Sequence, residues 1–187
     1  MQNPRLAARY AKSLLDLAIE RNSLDATLED MRLLDGICRQ SPDFRNMLRS
    51  PVIKAGKNLQ IIDAVLGAGI GVLTKGFITL LVNKSREANL PEIASAFISQ
   101  YKELKKIKTV RLTTASEIGE PVREAIRARV AAGLPGHTVD LTAGVNADLI
   151  GGFVLEMEDR LFDASVRKEL NDIRAQFLKN TYVSELR

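Results

Sequence analysis

The spacing of apolar residues changes once along this chain, near Lys106, and this change constrains the fold more than any other feature of the sequence. Before it, apolar residues recur every three or four positions, as they do along one face of an amphipathic helix. After it, stretches such as 109–114 alternate with a period of two, which is typical of half-buried strands. We therefore expect a mainly α chain, with an N-terminal six-helix bundle at 1–105 and a small C-terminal α/β domain with a few-stranded sheet at 106–187.

The helical half contains two features that bear on function. Ser41 and Ser50 each precede a proline, and a capping hydroxyl before a proline at the first helical position starts a helix. The fifth helix, roughly Leu73–Ser85, is apolar over much of its circumference, so it should be central to the bundle or covered by a partner. The glycines at 67–71 follow no strand and precede no Gly-Lys-Ser/Thr sequence, so we interpret them as a loop rather than a phosphate site.

The second half predicts strands that alternate with two helices. Alternation or apolar runs place strands at 109–114, 137–145 and 149–155, and a short fourth strand at 160–162. One helix is expected between the first two strands, and a final helix starts near Asp163 or Ser165. We expect the final helix to bury one apolar face, made of Val166, Leu170, Ile173 and Phe177.

Composition narrows the functional classes. The chain has 187 residues, 45% of them hydrophobic and 27% charged, which excludes a disordered tail and a fibrous repeat. The net charge is +4, and the excess of Lys and Arg is scattered through the helical half. Scattered cations favour a solvated surface over a nucleic-acid site, because each phosphate contact needs its own cation; nucleic-acid binding is kept as a minor hypothesis. The longest uncharged stretch, 64–74, is too short to span a membrane, and the N-terminus lacks the apolar segment of a secretory signal.

Residues that could carry catalysis or bind metal are few. His137 is the only histidine and Cys38 the only cysteine, and we interpret them as a turn residue and a small buried apolar residue. Asp159 and Asp163 are close enough in sequence to suggest paired carboxylates, but a turn and a helix cap explain them better. We therefore expect no catalytic residue, no cofactor and no metal site, and a protein that acts by binding.

Three blocks of sequence carry a resemblance to a known family. Ala8–Leu14 (ARYAKSL) lies near the start, and Phe77–Arg86 (FITLLVNKSR) followed by Leu90–Ile93 (LPEI) lies in the middle. The third block contains Asp148, Gly151, Gly152, Asp159, Asp163, Ser165 and Arg167. In this order the blocks resemble the ATP synthase delta subunit family, to which the mitochondrial oligomycin-sensitivity-conferring protein belongs.

The resemblance implies a non-catalytic stator subunit of a proton-transporting F-type ATP synthase. In that family the helical domain binds the N-terminal segments of the alpha subunits on the catalytic head, and the α/β domain meets the b-subunit dimer of the peripheral stalk. The subunit holds the head still against the turning rotor, so that torque drives ATP synthesis. The resemblance also implies no nucleic-acid partner, no stable homo-oligomer, and a peripheral position at the cytoplasmic face of a bacterial cell membrane. A helical adaptor of another assembly stays open as the alternative hypothesis.

The resemblance places the head-binding groove between the first and fifth helices. The residues that it implies for the two walls are Tyr10, Ser13, Leu14, Leu17, Phe77, Ile78, Leu81 and Val82. Bundle core is the alternative for each apolar residue among them, because burial is the default for large apolar groups. For the third block, two alternatives stay open: glycines and caps that build the fold, or a partner contact. For the stalk contact, the resemblance points only to the last helix and its neighbouring strands.

Overall fold

A computed structural model describes residues 4–50, 53–134, 136–157 and 160–178 of the chain. The chain divides into two compact units, Met1–Leu104 and Lys105–Arg187. The first unit is helical, and the second combines helices with a four-stranded sheet. The predicted fold class, mainly α with a small α/β part that contains few strands, is confirmed.

The helical unit contains six α-helices within the described residues. They are α1 (Pro4–Glu20), α2 (Leu24–Gln40), α3 (Pro42–Arg49), α4 (Ala55–Leu66), α5 (Val72–Asn83) and α6 (Leu90–Leu104). The helix α6 packs against both α1 and α2. Ala11 of α1 and Ala94 of α6 are both fully buried in this unit. Larger side chains fill the remaining core, namely Leu14, Met31, Leu34, Ile93 and Phe97.

The two Ser-Pro pairs behave differently. Ser41 caps α3 as expected: its Oγ accepts a hydrogen bond from the backbone N–H of Phe44 at 3.2 Å, and Pro42 opens the helix. Ser50 instead ends α3, and α4 begins only at Ala55, so the prediction that the second pair starts a helix was wrong. The backbone N–H of Ser50 bonds to the carbonyl of Met47 at the end of α3, as the N–H of Ser41 bonds to Ile37 at the end of α2. The difference between the two serines therefore lies in the capping bond that Ser41 makes to Phe44.

The α/β unit is built on a sheet with strand order β2-β1-β3-β4. Its elements are β1 (Ile107–Thr114), α7 (Glu120–Ala132), β2 (Thr138–Val145), β3 (Gly152–Met157), β4 (Arg160–Ser165) and α8 (Val166–Leu178). The strands β1 and β2 are parallel and joined by α7, whereas β3 pairs antiparallel with both β1 and β4. Alternate residues of β1, Val110 and Leu112, are buried on one face of the sheet, as the period of two predicted.

The expected burial of the final helix was wrong. The helix α8 forms where the sequence predicted it, but its apolar face is 37–84% exposed at Val166, Leu170, Ile173 and Phe177. In the described part of this unit, α8 packs mainly beside β4 and the short turn Ala147–Leu149. An amphipathic pattern predicts which face is apolar, whereas burial depends on a second surface that covers it.

Candidate functional site

The groove residues predicted on α1 and α5 divide into buried and accessible side chains. The buried ones are at most 3% exposed: Leu14, Ile78, Leu81 and Val82. The half-buried or exposed ones are Tyr10, Ser13, Leu17 and Phe77. On a helix, residues three and four positions apart share one face, and on both helices that face is turned into the bundle core. The buried residues therefore support the surface from below, and only the accessible ones can contact a partner on the folded bundle.

Tyr10 links α1 to α5. Its ring meets the ring of Phe77 edge-on, with centroids 6.4 Å apart and planes inclined by 67°, which is an arrangement that the ring quadrupoles favour. The guanidinium carbon of Arg86, just beyond the end of α5, lies 5.6 Å from the centre of the Tyr10 ring, within the range of a cation–π interaction. Within the described ranges the Arg86 guanidinium makes no ion pair. A positive charge therefore borders the two apolar rings.

Two further residues of α5, Gly76 and Leu80, extend this surface and were not among the predicted contacts. Leu80 is 47% exposed, and a Cβ atom added to Gly76 would meet no atom within 4 Å. Leu80 follows Gly76 by one helical turn and Phe77 by three residues, so the three positions are neighbours on one side of α5. The sequence does contain one signal for this position, a glycine inside a predicted helix. Glycine costs about 1 kcal/mol of helix stability relative to alanine, which suggests that the position needs a small residue.

We call the accessible set the α1–α5 surface, consisting of Tyr10, Ser13, Leu17, Gly76, Phe77 and Leu80. Leu17 is 37% exposed and lies two helical turns after Tyr10. The hydroxyl of Ser13 donates a hydrogen bond to the carbonyl of Arg9 at 3.0 Å, so it needs no other partner. The surface is an apolar strip with an aromatic pair between its two walls.

Gly151 and Gly152 of the third block bring β3 close to the start of α8. Gly152 has a φ of +75°, and a Cβ there would overlap the carbonyl oxygen of Ala164 on the neighbouring strand. A Cβ on Gly151 would lie 2.9 Å from Cγ2 of Val166, whose backbone N–H donates to the Gly151 carbonyl at 3.1 Å. Only glycine fits such an approach without displacing its neighbours. These contacts favour the structural alternative for both glycines.

Asp163 and Ser165 form the start of α8. The backbone N–H of Ser165 donates to Oδ1 of Asp163 at 3.0 Å, and Oγ of Ser165 accepts from the backbone N–H of Lys168 at 3.2 Å. Hydrogen bonds from the hydroxyl and the backbone N–H of Ser165 hold the pKa of Asp163 below its ordinary value. Asp148 and Arg167 of the same block are exposed, and Asp159 lies outside the described residues.

Among the described residues of the α/β unit, no helix covers one part of a sheet face. An open cavity of about 550 Å³ lies between the end of α7 and this face, which includes Leu155 and Met157 of β3 and Phe162 of β4. Phe162 is 60% exposed, and its ring centroid lies 6.1 Å from that of Phe153. The helix α7 packs beside β2, and β2 is the edge strand opposite β4. The part of this face formed by β3 and β4 is therefore accessible.

Within the described part of the chain, the other residues whose side chains could react or bind metal, Cys38 and His137, do not form part of a catalytic or metal site. Cys38 is 2% exposed, and burial, with a smaller contribution from Asp35, raises the pKa of its thiol to about 11. His137 is exposed in the turn before β2. Over the described ranges, no group of His, Cys, Asp and Glu side chains is arranged to hold a metal ion. Among the same residues, no helix is both long and apolar enough to span a bilayer.

Apolar strips left exposed on two compact units are typical of proteins that bind other proteins. A sequence model of the family described as "ATP synthase delta (OSCP) subunit" matches residues 6–177. The chain is 36% identical over 177 residues to the ATP synthase subunit delta of Cytophaga hutchinsonii, which covers 95% of this chain and 96% of that one. It is 34% identical over 186 residues to the ATP synthase subunit delta of Christiangramia forsetii, across 100% of both chains.

A solved structure supports the fold independently of close sequence similarity. A chain in the cryo-EM structure of the Toxoplasma gondii mitochondrial ATP synthase hexamer superposes with a TM-score of 0.69 at 22% identity, covering 92% of this chain and 97% of that chain. The chain belongs to the ATP synthase delta (OSCP) subunit family. The resemblance drawn from the three sequence blocks is thereby confirmed.

Proposed function

We propose that this chain is the non-catalytic stator subunit of a proton-transporting F-type ATP synthase, joining the catalytic head to the peripheral stalk. Membership of the delta family supports the assignment to the synthase. The task requires long-lived association with two partners rather than turnover, and the two units offer one apolar surface each. In this proposal the chain reaches the cytoplasmic face of a bacterial membrane through the complex.

The observation that carries the proposal is the α1–α5 surface, which we assign to the N-terminal segment of an alpha subunit. An amphipathic helix that lays its apolar face on such a strip is a recurrent mode of peptide recognition. The surface has the aromatic pair Tyr10–Phe77 near its middle, and buried aromatic anchors commonly dominate the binding energy of an interface. Arg86 adds a positive charge at its border, which favours a partner helix with an acidic flank.

The α/β unit is assigned to the b-subunit dimer of the peripheral stalk. The uncovered half of its sheet and the exposed face of α8 provide apolar area, including Phe162 and Phe177, which are 60% and 84% exposed. Exposed apolar area of this kind favours a partner that covers it, because burial of each large side chain contributes roughly 1.5–3 kcal/mol. The assignment to the b subunits rests on the family.

The head contact is tested by titrating the full chain with a synthetic peptide of the alpha-subunit N-terminus from the same organism. Leu80→Asp should weaken binding at least about tenfold, since it places a charge on the apolar strip. Ile19→Asp is the matched control: Ile19 is 44% exposed and lies nine residues after Tyr10, on the opposite side of α1. A folded wild-type chain that fails to bind at tens of micromolar would overturn the groove assignment and favour an adaptor of another assembly.

A further inference from the structure

The helix α5 has no cap of its own. Gly71 occupies its N-cap position and supplies no side chain, and no acidic residue lies in its first turn. The preceding segment includes Gly67 and Gly69 in a short turn, and glycines give an unfolded chain more conformational freedom to lose. A helix with open N–H groups after a glycine-rich loop is expected to fray at its start.

A carboxylate from another helix caps this start. Asp30 of α2 is only 8% exposed, and its Oδ2 accepts two hydrogen bonds from α5. One comes from the backbone N–H of Gly71 at 3.1 Å and the other from the hydroxyl of Thr74 at 2.5 Å. Thr74, the third residue of α5, is fully buried. In a capping box the third residue of the helix would reach back to the N-cap N–H; here Asp30 makes that bond and Thr74 holds Asp30.

This contact joins the bundle to the helix that presents the accessible surface. Gly76, Phe77 and Leu80 lie within the two turns of α5 that follow Thr74. A negative charge at a helix N-terminus also interacts favourably with the helix dipole. An ion pair also holds this part of α5, Lys75 with Asp63 at 3.0 Å, but both side chains are at least half exposed, so it contributes little.

We propose that Asp30 is a positioning residue for the α1–α5 surface: its carboxylate holds the first turn of α5 in place so that Gly76, Phe77 and Leu80 are presented to a partner helix. The role in partner binding rests on the proposed function, whereas the role in ordering α5 does not. In this proposal Asp30 acts on the surface through its bonds to Gly71 and Thr74.

Hydrogen exchange of the full chain, without any partner, tests the ordering role. In Asp30→Ala, the α5 amides should exchange at least about tenfold faster, because hydrogen bonds to a charged acceptor are lost. The amides of α1 and α6 should keep their protection. Equal acceleration in all helices, or none in α5, would overturn the proposal. Thr74→Val, which removes one of the two bonds at nearly constant volume, should cause a smaller change confined to α5 and serves if Asp30→Ala does not fold.

A rescue variant separates positioning from general damage. A Cβ on Gly71 would lie 3.2 Å from Oδ2 of Asp30, so Gly71→Ser crowds the intact contact and should not improve it. In Asp30→Ala that space is open, and a serine at the N-cap can accept a bond from the first turn. Gly71→Ser should therefore slow α5 exchange only in the Asp30→Ala background. Rescue that is absent there, or equal in both backgrounds, contradicts the proposal.

The link to binding is measured with the alpha-subunit peptide. Asp30→Ala should weaken peptide affinity about tenfold or more, and Gly71→Ser in the same chain should restore most of it. Unchanged affinity together with faster α5 exchange would show that Asp30 orders α5 without serving the surface, which contradicts the positioning role. If the wild-type chain does not bind the peptide, the proposed function fails, and the exchange experiments still decide whether Asp30 orders α5.

Discussion

Gly152 on β3 and Ala164 on β4 approach so closely that a Cβ on the glycine would overlap the carbonyl oxygen of the alanine. The positive φ of Gly152, +75°, adds backbone strain for any other residue. The pair fixes the point where the sheet leads into α8, since Ala164 is followed by the cap residue Ser165.

Gly152→Ala should therefore destabilise the α/β unit by more than about 2 kcal/mol, because steric overlap and an unfavourable φ act together. The measurement is urea unfolding followed by circular dichroism. Gly144→Ala on β2 is the matched control: a Cβ there meets no atom within 4 Å and its φ is not positive, so we expect a change of less than about 1 kcal/mol. Equal losses in the two variants would contradict the close-approach explanation.

A larger side chain at Gly76 should separate stability from binding. Gly76→Gln should raise helix stability by roughly 0.5–1 kcal/mol, because glycine is the poorer helix former. The same change should weaken the affinity for the alpha-subunit peptide at least tenfold, because in the proposed function the partner helix crosses α5 at this open position. Gly36→Gln on α2, where a Cβ also meets nothing within 4 Å, should stabilise similarly and leave the affinity unchanged. Thermal unfolding and calorimetric titration check the two effects separately.

The ring pair Tyr10–Phe77 should show measurable coupling. Tyr10→Ala and Phe77→Ala each remove the same edge-to-face contact, so the double variant should be less destabilised than the sum of the single ones. We expect a coupling free energy of about 0.5–1.5 kcal/mol from a double-mutant cycle in urea. The pair Tyr10–Leu104, which has no such ring contact, provides the comparison cycle. A coupling near zero for Tyr10–Phe77 would mean that the rings do not meet in solution.

The thiol of Cys38 should be unreactive in the folded chain. Burial raises its pKa from 9.0 to about 11, so the reactive thiolate is about a hundredfold scarcer near pH 8 than in the unfolded chain. Alkylation by iodoacetamide, followed by mass spectrometry, should be at least a hundredfold slower without urea than with it. Fast alkylation of the folded chain at pH 8 would contradict the buried position.

The same pKa predicts a loss of stability in alkali. A folded-state pKa above the unfolded value stabilises the fold below pH 9, and this contribution is lost as the pH rises toward 11. Burial also raises the pKa of Tyr101, whose hydroxyl donates to Asp25. The pH dependence of the wild-type unfolding free energy therefore reflects more than one group. The difference between wild type and Cys38→Val, measured by urea unfolding from pH 8 to 11, isolates the cysteine. Parallel curves for the two chains would refute this assignment.

The fold was largely predictable because its signals are local. Helical and strand periodicity are set by neighbouring residues, so spacing predicted the six helices and the positions of the strands along the chain, though not their order in the sheet. The capping role of Ser41 was predictable for the same reason, since cap and proline are adjacent. Ser50 shares the Ser-Pro pair, yet it ends α3, and α4 begins only at Ala55. The pair by itself therefore does not decide whether a helix follows at once.

The site was less predictable because it depends on pairs that are distant in the chain. The family resemblance pointed to α1 and α5, yet Leu81 and Val82 are fully buried whereas Leu80 is 47% exposed. When a helix is apolar over much of its circumference, its sequence does not indicate which face is buried. The sequence around Asp30 contains no signal for its role, which depends on its hydrogen bonds to Gly71 and Thr74, more than 40 residues later in the chain.

By itself the sequence determined the mainly α class, the change to an α/β unit after Lys106, and the family. Periodicity and each of the three motif blocks depend on residues that are close to one another in the chain. Tertiary structure alone decided which apolar side chains face outward and which carboxylate caps α5. The physical reason is that burial and hydrogen bonding are properties of pairs of surfaces, and the chain brings those surfaces together only when it folds.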